Sequence, residues 1–154
     1  MVDRSDPARA GVKAGRVVGL LTAVLVVASL LRTQASFYAV AEGVLGPLGL
    51  GDRAATLWFW SNVAVGILAR YSVCYVVGSL VGVVYDWLDR PSLPVLVAMV
   101  VPVGVGDAAL AYLDTFDPLI AGAYVVAWLC YVPAFVHVFD EEAEARAGPI
   151  RLGE

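Results

Sequence analysis

The sequence predicts an all-α integral membrane protein, a four-helix transmembrane bundle with both termini in the cytoplasm. Two observations carry that expectation. Of 154 residues, 60% are hydrophobic and only 16% charged, whereas soluble domains run at about 45–50% apolar and about 25% charged. The apolar residues also fall into long uninterrupted runs, so that lipid is the solvent they fit. The mean hydropathy is +0.81. These features exclude a water-soluble domain and a disordered chain. A net charge of −4 and a pI near 4.9 leave no basic footprint for nucleic acid. One membrane domain accounts for residues 1–154, with spans near 14–38, 57–85, 92–113 and 118–139 and an acidic solvated tail over 140–154.

The first apolar run, Val17 to Leu31, has fifteen residues and follows Arg4, Arg9, Lys13 and Arg16. As a helix it rises only about 22 Å, short of a hydrocarbon core about 30 Å thick. The helix is therefore expected to continue past Arg32 through Tyr38. A signal peptide is the other reading, with Ala39-Val40-Ala41 as its cleavage site. That site lies eight to ten residues beyond the apolar run, so a retained helix is preferred.

Glu42 to Arg53 is rich in glycine and contains Pro47, which reads as a loop. The second span lies within Ala54–Tyr85 and opens on Leu57-Trp58-Phe59-Trp60, a composition suited to headgroup level. Asp86 to Pro91 forms a short turn before the third span, Ser92 to Leu113. Asp114 to Asp117 forms another, and Pro118 opens the fourth span at a position that needs no N–H. Seven Lys and Arg fall on the side of the N-terminal arm, the second connection and the tail, against two, Arg32 and Arg53, on the other. Positive-inside then places both termini in the cytoplasm, in the plasma membrane. One lysine beside nine arginines, among abundant Ala, Val and Gly, suggests a GC-rich genome and a salt-loving host.

Arg70 and Asp107 are the charges set deepest in the spans. Each costs about 2.5–3.5 kcal/mol near a helix centre. Arg70 is sixteen residues before Asp86, and Asp107 is sixteen after Pro91. Both therefore lie about 24 Å above the turn, so antiparallel neighbours would bring opposite charges to one level. Arg32, sixteen residues beyond Arg16, is expected at a similar height, forming with Glu42 an outer polar layer. The pair can serve as a structural link or as a ligand or ion site.

Pro102, Gly104 and Gly106 stand just before Asp107 and are candidates for a helix break or kink. Broken helices line ion sites in transporters. Gly78 and Gly82 form a small-xxx-small pattern suited to helix packing, on a stripe with Tyr71, Tyr75 and Tyr85. Pro133 is expected to kink the last helix. His137, a turn from Asp140 and Glu141, reads as an interface histidine. Cys74 and Cys130 read as structural cysteines. One His and two Cys are too few for a metal centre, and no cofactor is expected.

Gly104-Val105-Gly106-Asp107 matches the GxGD tetrapeptide of intramembrane aspartyl proteases and prepilin peptidases. Tyr85-Asp86 resembles the Tyr-Asp of the presenilin group, and Pro133-Ala134-Phe135 its Pro-Ala-Leu. Such chemistry requires two carboxylates in near contact around one water. Asp86 in the turn and Asp107 about 24 Å above it do not meet that requirement. The expected function is therefore non-catalytic: an accessory or scaffold subunit packing against itself, as a homo-oligomer, or against a larger membrane complex. A small transporter or channel using Arg70, Asp107 and Arg32 is the alternative.

Overall fold

A computed structural model describes residues 6–147, with side chains through Glu141. Arg4, Arg151 and the end of the acidic tail lie outside the described residues, as do the side chains of Glu142, Glu144 and Arg146. The described residues form six α-helices, α1 (Pro7–Arg32), α2 (Gln34–Leu45), α3 (Asp52–Trp87), α4 (Leu93–Thr115), α5 (Pro118–Leu129) and α6 (Tyr131–Ala147), with one 3-10 turn at Gly46–Leu48. No strand occurs among the described residues. Four segments are long and apolar enough to cross a membrane: α1, α3, α4, and α5 with α6 as far as Glu141.

Local chemistry sets the helix limits. Asp6 caps α1 through Ala8 N, and Pro7 occupies its first turn, where a missing N–H costs nothing. The helix thus begins seven residues before the expected start at 14. It also ends sooner, at Arg32, and no single helix reaches Tyr38. Thr33 interrupts it, with Oγ1 donating to the carbonyls of Ser29 and Leu30; such back-bonding competes with the helix ladder. The expected loop over Glu42–Arg53 is largely helical. Ala-rich α2 runs to Leu45 and Arg53 already belongs to α3, so the true turn is Gly49–Gly51, with Gly49 at φ 68°.

The fourth span is likewise two helices, broken at Cys130. The interruption lies within one turn of Pro133, which cannot donate back to Leu129. The acidic segment from Asp140 continues as helix to Ala147 and is not an unstructured tail from its start.

Helix α1 is central. Its Ala10, Ala14, Val18 and Thr22 are fully buried, and it packs antiparallel to α3 with α5 and α6 behind. The α1–α3 seam is made of glycines. A Cβ on Gly78 would lie 2.6 Å from the Gly15 Cα, and one on Gly15 would lie 2.5 Å from the Cys74 carbonyl oxygen. Backbones this close have room for hydrogen only. The remaining pair is α4 with α5. The main core lies toward the end bearing the α3–α4 turn, called here the lower end. Leu96, Val100, Trp128, Tyr131 and Phe135 fill it.

Helices α3 and α4, joined by that lower turn and expected to pack as neighbours, barely touch. The bundle is open along that side. At the upper end, Phe37 of α2 meets Trp58 and Phe59 of α3, ring centroids 5.2 and 5.4 Å apart. This aromatic hairpin carries the α2–α3 connection.

Candidate functional site

The gap between α3 and α4 is a half-open cleft of about 730 Å³. Asn62, Gly66, Ala69 and Val73 line it from α3, at spacings of four, three and four that mark one helical face. Asp107, Leu110, Ala111 and Asp114 line it from one face of α4, with Leu113 and Thr115 at the end of that helix. Ser29 of α1, Thr33 just beyond its end, and Ile120 and Tyr124 of α5 form the back.

Arg70 and Asp107 lie at its floor as an ion pair, with side chains 22% and 11% exposed. Two aromatic groups from α5 hold them. Trp128 Nε1 donates to Asp107 Oδ2 at 3.0 Å, and the Arg70 guanidinium stands 4.9 Å from the centre of the Tyr124 ring. The first is a hydrogen bond to a charged acceptor and the second a cation–π contact, and both hold the pair in place. Together they span α3, α4 and α5, so the pair bridges at one level the gap that backbone packing leaves open.

Gly104 explains how Trp128 reaches the carboxylate. It lies one turn before Asp107 on the same face, and a Cβ there would come 2.9 Å from the Trp128 Cβ. The expected helix break at Pro102, Gly104 and Gly106 is not present. Helix α4 is continuous from Leu93 to Thr115, and Gly104 serves the close approach of Trp128. Gly106 faces open space and Pro102 is exposed, so neither is pressed to unwind the helix.

Arg32 does not join this layer. It pairs with Asp117, whose carboxylate also caps α5 through Leu119 N at 2.8 Å. The α1–α3 register gives the reason. Gly66 packs against Val26, which puts Arg70 level with about Thr22, ten residues and roughly 15 Å below Arg32. Glu42 is farther still, in α2. Gly78 and Gly82, expected to offer a packing seam, spend it inside the bundle on Gly11, Gly15 and Pro7.

Below the pair the cleft is closed. Cys74, Val100 and Trp128 are each no more than 1% exposed. Thr22 Oγ1 lies 3.5 Å from Cys74 Sγ and donates to the Gly19 carbonyl. Tyr131 donates to the Gly78 carbonyl at 2.8 Å. The protease-like fragments do not converge. Asp86 lies at the far end of α3, 3.7 Å from Arg90, while Asp107 is committed to Arg70 and Trp128. His137 stands 3.3 Å from Glu141 at the lower end, away from the cleft. Among the described residues no group of three or more His, Cys, Asp and Glu could hold a metal ion.

Tyr124 and Trp128 are the site residues that sequence reasoning missed, and Asp117 is the missed partner of Arg32. Asp117 had a usable signal, an acidic cap directly before Pro118. The seam glycines had another, since Gly11, Gly15 and Gly19 recur every four residues. Trp128 and Tyr124 had none, being aromatic residues within an apolar run. The chain matches no family model, no curated protein and no solved structure.

Proposed function

We propose that this is a non-catalytic membrane protein that takes a solute into the α3–α4 cleft, in the manner of a small transporter, with Arg70 and Asp107 at the binding level. One observation carries the reading: the cleft descends to a charged pair from the upper end and is sealed beneath it by a packed core. A continuous channel does not fit that seal. The bilayer surrounds the four long helices. Arg9, Lys13, Arg16 and Arg90 lie toward the lower end and Arg32 and Arg53 toward the upper, so positive-inside favours the lower end and both termini on the cytoplasmic side of the plasma membrane. The cleft then opens outward.

Thiol labelling tests this. In a Cys130→Ser background, with Cys74 1% exposed, Ala69→Cys should react with a charged, membrane-impermeant reagent added outside intact cells. Leu68→Cys, on the face away from the cleft, should not. An unreactive Ala69→Cys would sink the reading.

A second reading, the accessory or scaffold subunit, draws on a different surface. Ala98, Pro102 and Gly106 are exposed at four-residue spacing along α4, a strip that admits another backbone closely. The mass of the native particle in mild detergent separates the two. Solute binding alone predicts a monomer or a closed homo-oligomer; a complex with other chains favours the subunit.

A further inference from the structure

The unpartnered polar groups of the cleft specify a ligand, on the reading that the cleft is a solute site. A guanidinium carries five N–H donors. Arg70 spends one on Asp107 and lays its face on Tyr124, and the remaining four have no acceptor among the described residues. They belong to a side chain that lines the cleft and is 22% exposed. At the mouth, Asp114 also lines the cleft. Its carboxylate has no hydrogen bond or ion pair to another described residue.

A donor-rich floor and an acceptor at the mouth are complementary to a ligand with opposite ends. A simple anion would meet Arg70 but face two carboxylates. A simple cation would meet Asp114 and leave the Arg70 donors unused. A lipid would bring its tails to the floor, where the cleft presents a guanidinium, and desolvating that group against hydrocarbon is unfavourable.

Length narrows the class. Asp107 and Asp114 are seven residues apart on α4, about 10 Å along its axis. The intervening lining, Leu110, Ala111 and Ile120, is apolar. We propose that the cleft binds an extended amphoteric solute, an ω-amino acid or a short peptide, with its carboxylate on Arg70, its ammonium on Asp114 and a methylene-like middle against these side chains. An α-amino acid is too short to reach both groups.

The test is calorimetric titration of the purified full chain with glycine, 4-aminobutyrate, 6-aminohexanoate and 8-aminooctanoate, beside hexanoate and hexylamine. Affinity should rise by about tenfold or more from glycine to an optimum at six to eight carbons, a gain of about 1.4 kcal/mol or more. Hexanoate and hexylamine should bind about tenfold more weakly than 6-aminohexanoate. Asp114→Asn, an exposed and isosteric change, should erase the advantage of 6-aminohexanoate over hexanoate. Binding that is absent throughout, flat with length, or unchanged in Asp114→Asn overturns the proposal. If Ala69→Cys is labelled and the series fails, the ligand class alone is wrong. If Ala69→Cys is not labelled, the cleft reading falls with it.

Discussion

Asp107 is the residue on which the site depends, because it answers two donors at once, the Arg70 guanidinium and the Trp128 indole. Asp107→Asn keeps an amide oxygen for Trp128 but leaves Arg70 without a counter-charge. Removing one partner of a fully buried pair costs about 3–5 kcal/mol. With both side chains partly open to the cleft, a loss of about 1–3 kcal/mol is expected, read by thermal unfolding in detergent. The exchange Arg70→Asp with Asp107→Arg should recover only part of it, since Trp128 then points its N–H at a cation. Full recovery would mean that the indole contact contributes nothing. Equal spacing from one turn made Arg70 and Asp107 legible as groups at one depth. The same counting misplaced Arg32, because it took Arg16 as a common origin and the packed register sets a different one. No spacing rule marks Trp128, whose acceptor lies twenty-one residues away on another helix.

Helix contacts divide the glycines into two kinds. Gly78 lies in a seam where an added methyl meets the Gly15 backbone, so Gly78→Ala should destabilise by about 1–3 kcal/mol through forced separation of α1 and α3. Gly106 faces nothing within 4 Å, and Gly106→Ala should leave stability unchanged or raise it by about 0.5–1 kcal/mol. Comparing the two unfolding midpoints checks the assignment; a stabilised Gly78→Ala would contradict it. At this scale the sequence conveyed the number of membrane-length spans and their approximate extent, though not their division into six helices, since length and hydropathy are local properties. The interruptions were less visible. Thr33 stops α1 through hydrogen bonds to its own preceding turn, a choice a lone threonine does not announce. Pro102 sits inside an unbroken helix while the break near Pro133 divides α5 from α6.

For the whole molecule, the consequential feature is that consecutive helices α3 and α4 do not close on each other. A hairpin with a short turn suggests close neighbours, and only the placement of α1 against α3, and α5 against α4, reveals the gap. That placement depends on glycine contacts and on the approach of Trp128 over Gly104, both long-range. The most direct measurement is a spin-label scan of α3 in reconstituted bilayers, comparing collision with a polar nickel chelate and with oxygen. A cleft filled with water predicts chelate access at positions 62, 66 and 69, fading below Val73, with oxygen dominating at 65, 68 and 76. The profile should follow the helical period. Oxygen-dominated collisions at all six positions would mean that lipid fills the gap. Low access to both at 62, 66 and 69 would mean that another protein segment does, and either result contradicts a solute-filled site above Arg70 and Asp107.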